Sequence, residues 1–248
     1  MTDPAPAPTA LVVGAGSGIG RATAITLADA GLRVVAADLN PAAVTALAAE
    51  HEGIVDLGGA WDATDPEACR ALVAAVVAET GRLDHLVTTV GWTAITRFLD
   101  ETPDYWRRII DVNLMSAIHL AAAAGEVMRE TGGSIVLTAS EAGVVGTSGE
   151  AVYSAAKGGV IALAKSLARE WARFGIRVNV VAPGVTETPL LVEQGGEALL
   201  SSIVRGIPLR RAGAPSEIAD AIAYLVSARS SYVTGQTLCV GGGLTMSS

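Results

Sequence analysis

Short runs, most of them apolar throughout rather than alternating, are interleaved with helix-length, alanine-rich segments along this chain, and that order leaves few folds open. The runs begin near Ala10 (ALVVG), Arg33 (RVVAAD), His85 (HLVTTV), Ser134 (SIVLTA), Ile176 (IRVNVVA) and Thr237 (TLCV), with a weaker one around Ile54. A strand with one face in water alternates apolar and polar residues, so strands that are apolar throughout are expected to be covered on both faces. Between them the sequence predicts helices over Ile19–Ala30, Pro41–Glu50, Pro66–Thr80, Asp104–Arg129, Val152–Phe174 and Pro215–Ser227. Asn40-Pro41 and Asp65-Pro66 place proline in a first helical turn, and Gly31, Gly81 and Gly175 stand just beyond helix ends. Strand, helix, strand in this order predicts an α/β fold with a doubly wound parallel sheet and helices on both faces. Such sheets bind ligands at the carboxyl ends of their strands.

The chain has 248 residues, half of them hydrophobic, enough to fill the core of one large domain. No linker interrupts it. The Pro- and Ala-rich residues 1–9 read as a flexible tail and 10–248 as the single domain. A net charge of −8 argues against nucleic acid or an anionic membrane as partner, since both demand a basic surface. Two cysteines, Cys69 and Cys239, are too few for a disulfide framework. With no apolar run near the ~20 residues a membrane span needs, the expectation is a cytoplasmic protein.

Gly14-Ala15-Gly16-Ser17-Gly18-Ile19-Gly20 follows the first strand and opens the first helix. In that place a glycine turn lets backbone amides approach a diphosphate, whereas without a ligand it is only a turn. Its spacing, G-x-x-x-G-x-G, differs from the commoner G-x-G-x-x-G. Asp38 ends the second strand eighteen residues past Gly20, where a carboxylate can accept hydrogen bonds from ribose hydroxyls. The same charge would repel a 2′-phosphate. Neither Ser17 nor Leu39 offers a compensating cation, and Arg21 and Arg33 are the nearest basic residues, so the expected cofactor is NAD.

A second cluster lies in SEAGVVGTSGEAVYSAAK, from Ser140 to Lys157. Tyr153 and Lys157 are four residues apart in a helical stretch, which stacks them on one face. At ~4 Å and an effective dielectric near 20, an ammonium stabilises a phenolate by about 4 kcal/mol, or about three pKa units. That would bring the tyrosine near working pH as a general acid or base. Ser140, at the end of the fifth apolar run, is placed to bind the same substrate oxygen. The structural alternative is a packed tyrosine, a solvated lysine and a serine ending a strand.

Together these motifs resemble the short-chain dehydrogenase/reductase family across essentially the whole chain. The likeness rests on Gly14–Gly20, Asp62, Asn113 in VNLMS, Ser140, Tyr153 with Lys157, and PGVTET at Pro183–Thr188. It implies a Rossmann-like domain that interconverts a secondary alcohol and a ketone with a catalytic set of Asn113, Ser140, Tyr153 and Lys157. It further implies that Gly14, Ser17, Gly18, Ile19 and Gly20 cradle the diphosphate. Asp62 and Ala63 would meet the adenine, Val90 and Gly91 the adjoining ribose. Pro183, Gly184, Thr186 and Thr188 would hold the nicotinamide side, with Thr186 and Thr188 on the carboxamide, and Asn113 would hold a water linking Lys157 to solvent. The family also implies a homotetramer, and the reading assigns no metal. One departure stands out, because Thr88-Thr89-Val90-Gly91 replaces the family's usual Asn-Asn-Ala-Gly.

On the substrate side, Trp92–Ile95, Glu141–Val144, Gly149–Glu150 and the loop from Thr188 to about Gly206 are the candidates, with Trp92, Glu141 and Glu150 the polar or aromatic contacts beside Ser140 and Tyr153. Most are small or apolar, which predicts a compact, uncharged reacting group. EAGVVGTSGEAVYSAAKGG and VAPGVTETPLL are similar to the 2-hydroxycyclohexanecarboxyl-CoA dehydrogenase branch, and also to the β-ketoacyl carrier-protein reductases. Asp38 disfavours the NADP(H) that biosynthetic reductases generally use. Arg97, Arg205, Arg210 and Arg211 are the candidates to clamp a CoA polyphosphate. A free cyclic or steroid-like alcohol is the alternative substrate, and a nucleotide-sensing protein without turnover the alternative function.

Overall fold

The all-apolar runs do form one fully parallel sheet. A computed structural model describes residues 7–193 and 203–246. Seven strands, β1 (Thr9–Val13), β2 (Arg33–Ala37), β3 (Ile54–Asp56), β4 (His85–Thr88), β5 (Gly133–Thr138), β6 (Ile176–Pro183) and β7 (Thr237–Val240), lie in the order β3-β2-β1-β4-β5-β6-β7. Each neighbouring pair is parallel. The helices are α1 (Gly18–Asp29), α2 (Pro41–Glu50), α3 (Pro66–Thr80), α4 (Pro103–Ile110), α5 (Ser116–Met128), α6 (Ala142–Val145), α7 (Ala151–Trp171), α8 (Pro189–Glu193) and α9 (Pro215–Val226). Strand β1 starts at Thr9 rather than Ala10, because the Thr9 amide donates to Asp84 Oδ2 at 2.8 Å and the residue is buried.

Alternate strand residues feed two cores, as the pleat requires. Leu11, Val13, Leu86, Ile135, Leu137, Val178 and Val180 face α3, α5 and α7, where they meet Leu72, Val76, Leu120, Met128 and Val160. Ala10, Val12, Val34, Val87, Val136 and Val181 face the other way, onto Leu27, Leu47, Ile218 and Ile222. Both faces are therefore dry, which is why the strands carry no polar alternation. Helix starts follow the expected chemistry: Asn40 and Asp65 accept hydrogen bonds from Ala43 N and Glu67 N ahead of their prolines. Among the described residues no helix is long and apolar enough to cross a membrane.

The segment expected as one helix over Asp104–Arg129 is divided. Between α4 and α5, residues Asp111–Met115 form a π-helical turn. Asn113 Nδ2 donates to Ile109 O at 2.9 Å and also to Trp92 O at 2.7 Å, while Asn113 Oδ1 accepts from Trp92 N at 3.2 Å. The widened turn lets one side chain serve its own helix and a loop beyond β4, a use typical of π-bulges at functional sites.

Sheet order reverses between β1 and β4, so the crevice at their carboxyl ends is the expected ligand position. A cavity of about 610 Å³ opens there.

Candidate active site

At the nucleotide end, the turn after β1 is built so tightly that only glycine serves. Gly14 has φ +87°, in the left-handed region, and a Cβ on Gly20 would lie 1.9 Å from Gly14 O. Gly14 N and Ala15 N both donate to Ala37 O, at 2.9 and 3.1 Å, pinning the turn to the end of β2. From the other side the single Thr89 Oγ1 proton is shared between Val13 O at 2.9 Å and Gly14 O at 3.2 Å. The Thr-Thr departure thus has a use, since one of its hydroxyls braces the turn.

Helix α1 begins at this turn without a side-chain cap, because Ser17 makes no capping hydrogen bond. Its first amides are turned to the cavity that Ser17, Gly18, Ile19 and Gly20 line, an arrangement suited to a diphosphate. Asp38 stands at the rim. Its Oδ2 accepts from Gly16 N at 2.8 Å and its Oδ1 from Asn40 N at 2.9 Å, leaving further lone pairs toward the cavity it lines. Both basic residues considered above are committed elsewhere, Arg21 to Glu50 and Arg33 to Glu79. A dinucleotide fits this donor set and this charge pattern.

The remaining residues expected to meet the cofactor, Gly14, Asp62, Ala63, Val90, Gly91, Pro183, Gly184, Thr186 and Thr188, line the same cavity, as do Tyr153 and Lys157. Ser140, Glu141 and Glu150 line it too. Two do not. Asn113 is buried behind it, at the π turn, with its side chain committed to Trp92 and Ile109. Trp92, expected to face the substrate, is turned outward, with Arg108 3.8 Å over its ring and Tyr105 edge-on at 5.9 Å. Thr93 and Ile95 take its place on the wall. Residues 194–202 of the expected substrate loop lie outside the described residues.

The chemistry sits where α7 crosses the ends of β4 and β5. Lys157 is buried, and its ammonium donates to Thr138 O at 3.0 Å and Val90 O at 3.4 Å. Burial lowers its pKa to about 8. The same helix presents Tyr153, whose pKa is raised to about 12, chiefly by burial, with a hydrogen bond from Ser140 lowering it and the Glu150 charge raising it. This corrects the expectation of a phenol held near neutrality by its lysine. The lysine nitrogen stands 5.8 Å from the phenol ring centroid and spends its hydrogen bonds on carbonyls, while dehydration disfavours both charged forms.

The substrate end is lined by Thr93, Ile95, Thr147, Ser148, Leu190, Leu191, Ile203 and Leu244 around the two glutamates. Glu141 is 5% exposed, its carboxylate packed where a Cβ on Gly184 or Gly241 would stand, and burial raises its pKa while Thr245 partly offsets this. Thr147, Ser148 and Leu244 were not expected here. Nothing in their spacing marks them, because a turn and the C-terminal segment bring them in. Of the arginines proposed to clamp a polyphosphate, Arg211 is spent on Glu217, with two contacts of 2.6 Å.

Comparison with known proteins agrees with this geometry. Residues 14–245 match the family described as enoyl-(acyl carrier protein) reductase. The chain is 38% identical over 242 residues to a 3-oxoacyl-[acyl-carrier-protein] reductase FabG of Thermotoga maritima, covering 95% of this chain and 97% of that one. It is 38% identical over 238 residues to the enzyme of the same name from Escherichia coli, covering 96% and 97%. Over 250 residues it is 38% identical to an acetoacetyl-CoA reductase of an Acinetobacter strain, again covering 96% and 97%. With near-complete coverage on both sides and the glycine turn, Ser140, Tyr153 and Lys157 gathered in one crevice, the chain belongs to the short-chain dehydrogenase/reductase family.

Proposed function

We propose that the protein is an NAD-dependent oxidoreductase that interconverts a secondary alcohol and a ketone. The observation that carries this reading is the convergence of Ser140, Tyr153 and Lys157 on a cavity whose other end is lined by Asp38 and, among the described residues, by no arginine. Bound nicotinamide would supply or accept the hydride. Tyr153 gives its proton to the carbonyl oxygen in reduction and takes it from the alcohol in oxidation. Ser140 holds that oxygen by a hydrogen bond. Lys157, anchored on Thr138 O and Val90 O, keeps a positive charge behind the phenol and passes protons toward the Asn113 turn.

The relatives' names favour a 3-oxoacyl or 3-hydroxyacyl thioester as substrate, a ring β-hydroxyacyl-CoA among them. A free cyclic or steroid-like alcohol is the second reading, favoured by the commitment of Arg211 to Glu217, which removes one expected phosphate contact. We take the working form to be a cytoplasmic homotetramer, which light scattering of the purified protein checks.

Following NADH absorbance with acetoacetyl-CoA, a ring β-hydroxyacyl-CoA and free cyclic alcohols separates the substrate readings. Tyr153→Phe is expected to lower turnover at least about a hundredfold, the low end for loss of a general acid or base, while leaving the NADH dissociation constant within about threefold. Turnover that survives this substitution would remove Tyr153 from the mechanism. A wild-type protein that binds NADH yet turns over no alcohol or ketone would be a sensor.

A further inference from the structure

The cavity carries more acid than the reaction uses. Besides the catalytic set, Glu141 and Glu150 line it, and among the described residues the one basic side chain lining it is Lys157, whose ammonium is held by Thr138 O and Val90 O. Glu141 is packed against Gly184 and Gly241. Glu150 is different. It stands at the N-terminus of α7, three residues before Tyr153, with its backbone amide donating to Thr147 O at 3.1 Å. Thr93, on the opposite wall, donates from Oγ1 to Glu150 Oε1 at 3.2 Å, which fixes the carboxylate. No described residue bonds the second oxygen, and the group is close enough for its charge to act on the Tyr153 phenol.

A carboxylate aimed into a substrate cavity without a counter-cation discriminates by charge. It accepts a hydrogen bond from a neutral or cationic donor and repels an anion. We propose that Glu150, oriented by Thr93, is a specificity-determining residue: it receives a hydrogen-bond donor on the substrate one methylene away from the reacting carbon and excludes substrates carrying an anionic group there. The favoured substrate class is then an amide or hydroxyketone, with neutral esters and thioesters admitted and free keto acids excluded. This rests on the alcohol–ketone reading of the cavity given above.

Three ketones that differ only in the group beside the methylene test it: acetoacetate, an anion; methyl acetoacetate, neutral without a donor; and acetoacetamide, neutral with N–H donors. At roughly 6 Å and an effective dielectric near 20, like charges separate by a factor of about a hundred. Wild-type kcat/KM is therefore expected to favour the ester over the acid by about that factor, and the amide over the ester by about tenfold, as for a hydrogen bond to a charged group. Glu150→Gln, which keeps the shape, should cut the ester-to-acid ratio at least about tenfold, and Glu150→Ala should also abolish the amide preference. Unchanged ratios in both variants, with NADH binding intact, overturn the proposal. If wild-type protein binds NADH but reduces none of the three, the alcohol–ketone reading for 3-oxoacyl compounds fails, and the proposal falls with it.

Discussion

Replacing Asp38 tests the cofactor assignment most directly, because its carboxylate does two things. It holds the glycine turn through Gly16 N and its own loop through Asn40 N, and it faces the cavity at the end where a ribose would lie. A 2′-phosphate carries about −1.5 to −2 charges. At roughly 5 Å and an effective dielectric near 20, each of those costs about 3 kcal/mol against a carboxylate. About half of this survives at a partly exposed rim, leaving roughly 2–3 kcal/mol, or a preference for NADH over NADPH approaching a hundredfold. Arg21 and Arg33 cannot soften it, being paired with Glu50 and Glu79. Calorimetric or fluorescence titration with both nucleotides should show that preference, and Asp38→Ser should narrow it at least about tenfold. The same substitution should weaken NADH binding itself by about tenfold, since the Gly16 amide of the turn loses its acceptor. Wild-type protein that binds NADPH within about threefold of NADH would refute the electrostatic argument outright.

Thr89→Val removes both hydrogen bonds that tie the turn to β4 and should raise the NADH dissociation constant by about tenfold, with Thr89→Ser near wild type; equal affinities in titration would show that the brace is idle. Lys157, with a folded pKa of about 8 against 10.5 unfolded, binds fewer protons folded than unfolded between those values, so its contribution to stability rises as pH increases through that window. Relative to Lys157→Met, ligand-free wild-type protein should gain about 2–3 kcal/mol in denaturant unfolding from pH 8 to 10.5, and parallel curves would contradict it. Glu150→Gln should also shift the Tyr153 limb of the pH–rate profile to lower pH, because the charge that raises that pKa is gone. A merely structural role would leave the limb in place.

Much of this was legible before any coordinates. Strands that bury both faces leave a mostly apolar trace, and proline after Asn40 or Asp65 announces a helix start, so the strands and the helices beginning at Pro41 and Pro66 could be placed within a residue or two. The glycine turn and Asp38 were readable for the same reason, since each is a local demand on backbone or charge. What stayed hidden depends on contacts between distant segments. The π turn at Asn113 arises from a bond to Trp92, twenty-one residues away, and no periodicity encodes it. Trp92 was misplaced because alternation gives a side chain's face only inside a strand, and it lies beyond the end of β4, where Arg108 and Tyr105 draw the ring outward.

The electrostatics of the dyad show the same limit in energetic form. Spacing says that Tyr153 and Lys157 share a helix face, and a surface pair so placed would nearly match in pKa, 10.0 against 10.5. Burial separates them in the wrong direction for a pre-formed phenolate, to about 12 and about 8. Burial therefore disfavours the phenolate–ammonium pair relative to the neutral phenol and amine. The tyrosine therefore keeps its proton in the ligand-free protein, as the general-acid role proposed for it requires. Ser140 supplies one stabilising hydrogen bond, Glu150 works against it, and the balance between the two is set by residues ten positions apart that only the fold brings to one oxygen. Protonation in this site follows from how much water the packed strands and α7 exclude, and that quantity belongs to the tertiary structure.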